Sequence, residues 1–354
     1  RDPEHRRARD GAHAVNALAS RRSPADAGVR LFLSGDVMTG RGVDQILPHP
    51  SPPQLHESFV RSAVGYVDLA ERASGPVGRG HGFTYPWGDA LALLDQWEPV
   101  ARIINLETAV TSSEDAQPGK GIHYHMHPAN IACLTGAGID CAVLANNHVL
   151  DWGRGGLADT LQALRTADVC CAGAGRNASE AAGAAVLDLP SGGRLLVFAF
   201  AVASSGVPAE WAATASRPGV NDLGRLDAPT AQTVAQSLRP QRRRGDLVMA
   251  SIHWGGNWGF ELDEQQRAFA RTLIDSGAVD VVHGHSSHHP QGIEIVHGKL
   301  VLHTGPLMEL AMVPLRRRRL RLERASSEDA DWLARTLQRE TQRFGDGALV
   351  SRMT

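Results

Sequence analysis

In this chain of 354 residues, the side chains able to bind metals fall where short apolar runs end. Asp36 follows the run 29–33, Asn105 and Glu107 follow 100–104, and Asn146, Asn147 and His148 follow 140–144. His253 comes after 247–252, and His285 with His288 after 279–282. A single histidine among these would read as a hydrogen-bonded loop or core residue in preference to a ligand. Taken together, Asp, Glu, Asn and His placed at strand ends by separate segments are the donor set of one polynuclear metal site. In an open α/β sheet the carboxyl ends of the strands form the ligand crevice.

Those placements require strands that alternate with helices. The pattern predicts strands over 29–33, 100–104 and 140–144, with helices near 129–137 and over 155–167. It then predicts strands over 194–201, 247–252 and 279–282, a helix over 261–276, and a hairpin of 292–296 with 300–302 across His297, Gly298 and Lys299. Alternation of this kind means an α/β sheet. Residues 45–81 are rich in Pro, Gly and Ser apart from a helix near 58–70, and read as an excursion that could help wall a pocket. Residues 1–27 form a polar N-terminal arm, 28–310 the main domain, and 311–354 a C-terminal extension with a helix over 327–343.

Composition narrows the partners. The net charge is −2, with 42% hydrophobic and 21% charged residues, which is ordinary for a globular protein. Aromatic residues make up 5%, and Lys120 and Lys299 are the only lysines, so neither base stacking nor a broad basic surface points to nucleic acid. No apolar run approaches the ~18 residues needed to span a bilayer. Residues 1–30 show no apolar signal-peptide region, and the expectation is a soluble, cytoplasmic protein. Cys133, Cys141, Cys170 and Cys171 lack CxxC spacing and are expected to be reduced thiols.

The segments SGDVMTGR (34–41), INLETAVT (104–111), LANNHVLDWG (144–153), SIHWGGNW (251–258) and GHSSHHPQG (284–292) occur in this order. They resemble the CapA, or poly-γ-glutamate capsule-biosynthesis, family within the calcineurin-like metallophosphoesterases, over about 29–310. The resemblance implies a four-layer αββα sandwich with two divalent metal ions, Mn, Fe or Zn, at the strand ends. By the same resemblance, Asp36 binds the first metal and Glu107 bridges. Asn147, His253 and His285 bind the second metal, while His288 returns to the first with His289 as its competitor. His148 lies beside the metals without binding. A pair of metals about 3.5–4 Å apart can hold a hydroxide nucleophile between them. The sequence departs from the superfamily pattern at Met38, which stands where a first-metal histidine is usual. It also has Asn105-Leu106-Glu107 in place of a GD motif, and one extra residue between His285 and His288.

Several neighbours admit two readings. Asp151 either caps the helix over 155–167 or orients His148. His123, His125 and His127 alternate in an expected strand, forming either a solvated face or, with Lys120, a substrate rim. Trp254 and Trp258 pack the loop after His253 or wall the pocket, and Asn105 and Asn146 stand at the pocket edge. The arginine run 316–319 reads as a solvated or acid-paired edge. The leading functional expectation is a dinuclear hydrolase acting on a phosphoester, with His148 stabilising charge or protonating the leaving group. Its rivals are cleavage or transfer at a γ-glutamyl amide and a non-catalytic role in capsule-polymer assembly. In the enzyme readings the substrate is a small or peptide-like anion.

Overall fold

Parity along one strand divides the core. In Arg194–Ala201, Leu195, Val197, Ala199 and Ala201 enter one hydrophobic cluster, while Leu196, Phe198 and Phe200 enter another. Successive side chains of a strand point to opposite faces, so a strand buried on both faces reads as a continuous apolar run. The computed structural model describes residues 29–190 and 192–303, together with the short strand Met308–Glu309.

The main strands are β1 (Leu31–Met38), β2 (Ala101–Leu106), β3 (Cys141–Val143), β4 (Cys170–Ala172), β5 (Ala185–Asp188) and β6 (Arg194–Ala201). They continue with β7 (Leu247–His253), β8 (Val281–His285), β9 (Ile293–Val296), β10 (Lys299–Leu302) and β11 (Met308–Glu309). The longer helices are α1 (Arg41–Ile46), α2 (Val64–Ser74), α3 (Ala90–Trp97), α4 (Gly153–Thr166), α5 (Ala228–Leu238) and α6 (Glu264–Asp275). A five-stranded parallel sheet has the order β11-β1-β2-β3-β4. A six-stranded sheet has the order β9-β10-β8-β7-β6-β5, parallel at its centre and antiparallel at both edges. The fold is thus mixed α/β.

One cluster draws on both sheets, with Ile103, Leu106 and Val143 from the first meeting Val197, Ala199 and Met249 from the second. Leu157, Leu161 and Leu164 of α4 belong to it too. The second cluster holds the other face of β6 and β7 against Val234 and Leu238 of α5 and Phe269, Leu273 and Ile274 of α6. By the same parity, Met249, Ser251 and His253 of β7, with Val281, His283 and His285 of β8, point toward the first sheet. Among the described residues no helix is long and apolar enough to cross a membrane.

Several expected elements differ in extent. The helix near 129–137 is a 3-10 turn, Pro128–Asn130, and one helical turn, Ala132–Thr135, closed by Gly136 and by Gly138 at φ +62°. The expected histidine strand shrinks to His125–Met126, because His127 caps the 3-10 turn and its Nδ1 accepts from Ala129 N. Helix α5 was not expected; Asp227 caps it and Pro229 lies in its first turn. The N-terminal arm, the arginine run 316–319 and the helix over 327–343 lie outside the described residues.

Candidate metal centre

The parallel register of β7 and β8 sets Ser251 beside His283 and His253 beside His285. Asp36 reaches the same place from β1 by a local irregularity. Ser34 pairs with Ile104 and Asp36 with Asn105, so Gly35 is one extra residue in the strand. Such a bulge re-aims the side chain that follows it.

The Nδ1 atoms of His253 and His285 lie 2.8 Å apart, and Asp36 Oδ1 is 3.7 Å from the first and 3.8 Å from the second. Ligands bound at 2.0–2.2 Å to one cation are at most about 4.4 Å apart, so these three donors fit around a single ion. All three side chains are buried. Burial, reinforced by neighbouring charges and imidazoles, pushes His253 and His285 well below the usual imidazole range. Both rings are therefore neutral and carry lone pairs, which metal binding needs. The donor set of one carboxylate and two imidazoles suits Mn, Fe or Zn.

The resemblance distributes these residues over two metals, whereas the geometry gathers Asp36, His253 and His285 around one point. His253 has a second side. Its Nε2 lies 3.1 Å from Asn147 Oδ1 and 3.8 Å from Glu107 Oε1, so these two residues border the centre. Met38 supplies no nitrogen there, and its sulfur accepts from Gly40 N at 3.2 Å. Neither His288 nor His289 joins the three. His288 packs edge-on against Trp258, and His289 lies between Trp258 and Phe260.

Asp151 is committed to His148 and not to α4. Its Oδ2 accepts from His148 Nδ1 at 2.6 Å and from Tyr124 N at 2.7 Å, while α4 has no side-chain cap. Burial pushes His148 down to about 4, against the opposing pull of Asp151, so the ring is neutral. A carboxylate only accepts, so the 2.6 Å contact with Asp151 favours the proton on Nδ1 over the longer 3.1 Å contact of Lys120 Nζ with the same atom, which leaves the lone pair on Nε2, 3.9 Å from Glu107 Oε1. His148 thus turns Nε2 toward the Glu107 side of the centre. Lys120 donates to Asp151 Oδ1 and to Asn147 O, bracing the loop.

The other residues expected to bind substrate are mostly used internally. Asn105 donates to Asp36 Oδ1 at 2.7 Å and accepts from Asn146 Nδ2 at 3.0 Å. Asn146 also accepts from the backbone of His148 and Val149, so both asparagines shape the ligand loops from a fully buried position. Trp254 is buried in the second cluster and donates to His303 O at 2.9 Å, which makes it a packing residue. His125 lies against Trp152 and lines a groove of about 300 Å³ with His56, Gln54 and Glu114. His123 is buried against the same tryptophan, which excludes a solvated histidine face.

Sequence reading missed Ser251 and His283. Ser251 Oγ lies 2.9 Å from His285 Nε2 and 3.1 Å from His283 Nδ1, fixing the ring from behind. Their positions two residues before His253 and His285, on the same strand faces, were the available signal.

Residues 30–304 match the family described as bacterial capsule synthesis protein PGA_cap. The chain is 41% identical to a probable polyglutamine synthesis accessory protein of Mycobacterium tuberculosis, across 90% of this chain and 92% of that protein. It is 28% identical to the capsule biosynthesis protein CapA of Bacillus anthracis, over 50% of this chain and 41% of that one. With the PGA biosynthesis protein CapA of Bacillus subtilis the identity is 27%, over 56% of this chain and 50% of the relative. The matched span contains Asp36, Glu107, Asn147, His148, His253 and His285, and the chain belongs to the PGA_cap family of bacterial capsule synthesis proteins.

Proposed function

We propose that this chain is a metal-dependent hydrolase built on a calcineurin-like four-layer sandwich, with Asp36, His253 and His285 as its principal metal ligands. The convergence of those three donors from three strands carries the reading. Glu107 and Asn147, which lie on the far side of His253, would hold a second ion in a dinuclear centre. A divalent ion bound there would lower the pKa of water and polarise a phosphoryl or carbonyl oxygen.

The chain's own residues supply the proton path. His148 takes a proton from the attacking water at Nε2, while Asp151 holds Nδ1–H and stabilises the cation that results. The same ring then returns the proton to the leaving group. Lys120 keeps Asp151 ionised and in place, and Ser251 fixes the His285 ring.

A phosphoester is the leading substrate. The family description, and the polyglutamine and capsule roles printed for the relatives, favour a second reading in which the scissile bond is a γ-glutamyl amide. Metal analysis of the purified protein, then a screen of phosphoesters and γ-glutamyl peptides, tests both. Bound divalent metal with turnover on one class selects it. Protein without metal and without turnover refutes the hydrolase and leaves an assembly role.

A further inference from the structure

Arg41 follows shortly after β1 in the segment that carries Asp36, on the sheet edge where Glu107 and His148 also lie. Its backbone has φ +48°, a left-handed conformation that a residue with a side chain adopts only at a cost. The side chain is held on three sides. Cζ lies 4.7 Å from the centre of the Tyr66 ring and 4.6 Å from that of Tyr124, and Tyr124 stacks on His148 at 4.0 Å. Nη2 is 2.6 Å from Oε1 of Glu57, whose side chain is fully buried and whose Oε2 accepts from the Tyr66 hydroxyl at 2.5 Å.

This arrangement fixes the guanidinium without saturating it. Nε is buried with no acceptor among the described residues, while Nη2 meets Glu57 Oε1 at 2.6 Å without being aligned on it. A purely structural clamp between Arg41 and the excursion that carries Glu57 would gain most from parallel N–H bonds to the carboxylate. Here the carboxylate holds the charge through Nη2 and leaves Nε without an acceptor, and a buried donor of that kind calls for a partner. The side chain keeps 11% of its surface exposed, at atoms other than Nε and Nη2. Guanidinium donors in a rigid fork match phosphate and carboxylate oxygens.

We propose that Arg41 binds an oxyanion of the substrate, a phosphate or a carboxylate, beside His148, with Tyr66, Tyr124 and Glu57 holding its guanidinium in position. The assignment rests on the hydrolase reading of the neighbouring centre and names the charge its substrate must carry.

The test is calorimetric titration of the full chain with inorganic phosphate and, separately, with a γ-linked glutamate oligomer. Each titration is run on metal-loaded and on chelator-treated protein. Arg41→Lys keeps the charge opposite Glu57 but loses the fork; the pair Arg41→Met with Glu57→Gln removes both charges together, so that neither is left buried alone. The expected result is binding weakened about 10- to 100-fold in both variants, the scale of a charge-assisted hydrogen bond, with the metal content of Arg41→Lys unchanged and its melting temperature lowered by a few degrees through the lost ring contacts. A loss confined to phosphate identifies a phosphoryl group as the oxyanion, and one confined to the oligomer identifies a carboxylate. Unaltered affinity in Arg41→Lys, or a parent protein that binds neither anion, overturns the proposal, and Arg41→Lys decides if the double variant fails to fold. Arg41-dependent anion binding in protein that takes up no metal would sink the hydrolase reading and leave this one standing.

Discussion

Replacing Asp151 by Asn isolates the residue on which the His148 arrangement turns. The carboxylate accepts from His148 Nδ1, Tyr124 N and Lys120 Nζ, and it has no exposed surface. An amide of the same shape keeps one acceptor and presents an NH₂ to groups that are themselves donors. Lys120 is then left as a cation without its anionic partner, with a side chain only 20% exposed. Breaking a fully buried pair costs about 3–5 kcal/mol, and the partial exposure of Lys120 lowers this to about 2–4 kcal/mol. At about 2–3 °C per kcal/mol the melting temperature falls by about 4–12 °C. Removing the orphaned cation as well, with Lys120→Met in the Asp151→Asn background, should restore part of that loss, giving a coupling of about 1–3 kcal/mol in a double-mutant cycle. Turnover should not recover, because nothing then fixes the His148 tautomer. Thermal melts of the four proteins measure the cycle. A melting temperature within about 1 °C of the parent for Asp151→Asn, or strictly additive losses, would refute the account of this carboxylate as the shared anchor of Lys120 and His148.

Asp36→Ala and His285→Ala should each remove most of the bound divalent metal, read by elemental analysis after dialysis; full occupancy in both variants would contradict the three-donor centre. Glu294 should contribute to acid stability: burial alone would raise its pKa, but hydrogen bonds from Arg271, Arg267 and His303 hold it down at about 2. A carboxylate depressed in the folded state stabilises fully above its unfolded value of about 4.5 and loses that contribution as pH falls toward 2, so Glu294→Gln should flatten the melting-temperature profile across that window. An unchanged profile would show that the cluster is not coupled to folding. Gly173→Ala should cost about 2–5 kcal/mol by denaturant unfolding. Gly173 has φ +88°, and a Cβ there would lie 2.7 Å from both Ala145 and Ala199, where the two sheets approach; a neutral substitution would mean that they are not closely packed.

The elements that could be read from sequence are those whose burial imposes a period. Strand β6 was placed to the residue, because the apolar run 195–203 between Arg194 and Ser204 has few alternatives. The antiparallel hairpin β9–β10 was equally plain from its His297-Gly298 turn, where both residues have positive φ. Helix α5 carried a usable signal that went unread, since Ala231, Val234, Ala235 and Leu238 recur at helical spacing behind an Asp227 cap. The histidine strand failed for a local reason: Pro128 restricts His127 and starts a turn, which stops the ladder after Met126.

The ligands are a different case, because their identities were readable but their grouping was not. Composition and strand-end position single out Asp36, His253 and His285, yet whether they share one ion depends on register and on a bulge. Parity places His253 and His285 on one face of adjacent strands, and a parallel register with no offset brings their Nδ1 atoms together. A slip of one residue in either strand would turn its histidine into the second cluster, among Val282 and Ile252. Asp36 depends on the bulge at Gly35 in the same way: in a regular strand the register that aligns Ser34 with Ile104 would pair Gly35, and not Asp36, with Asn105. The Asn105 amide that now donates to Asp36 would then face no carboxylate. The centre therefore rests as much on a glycine with no ligating atom as on the three residues that have them.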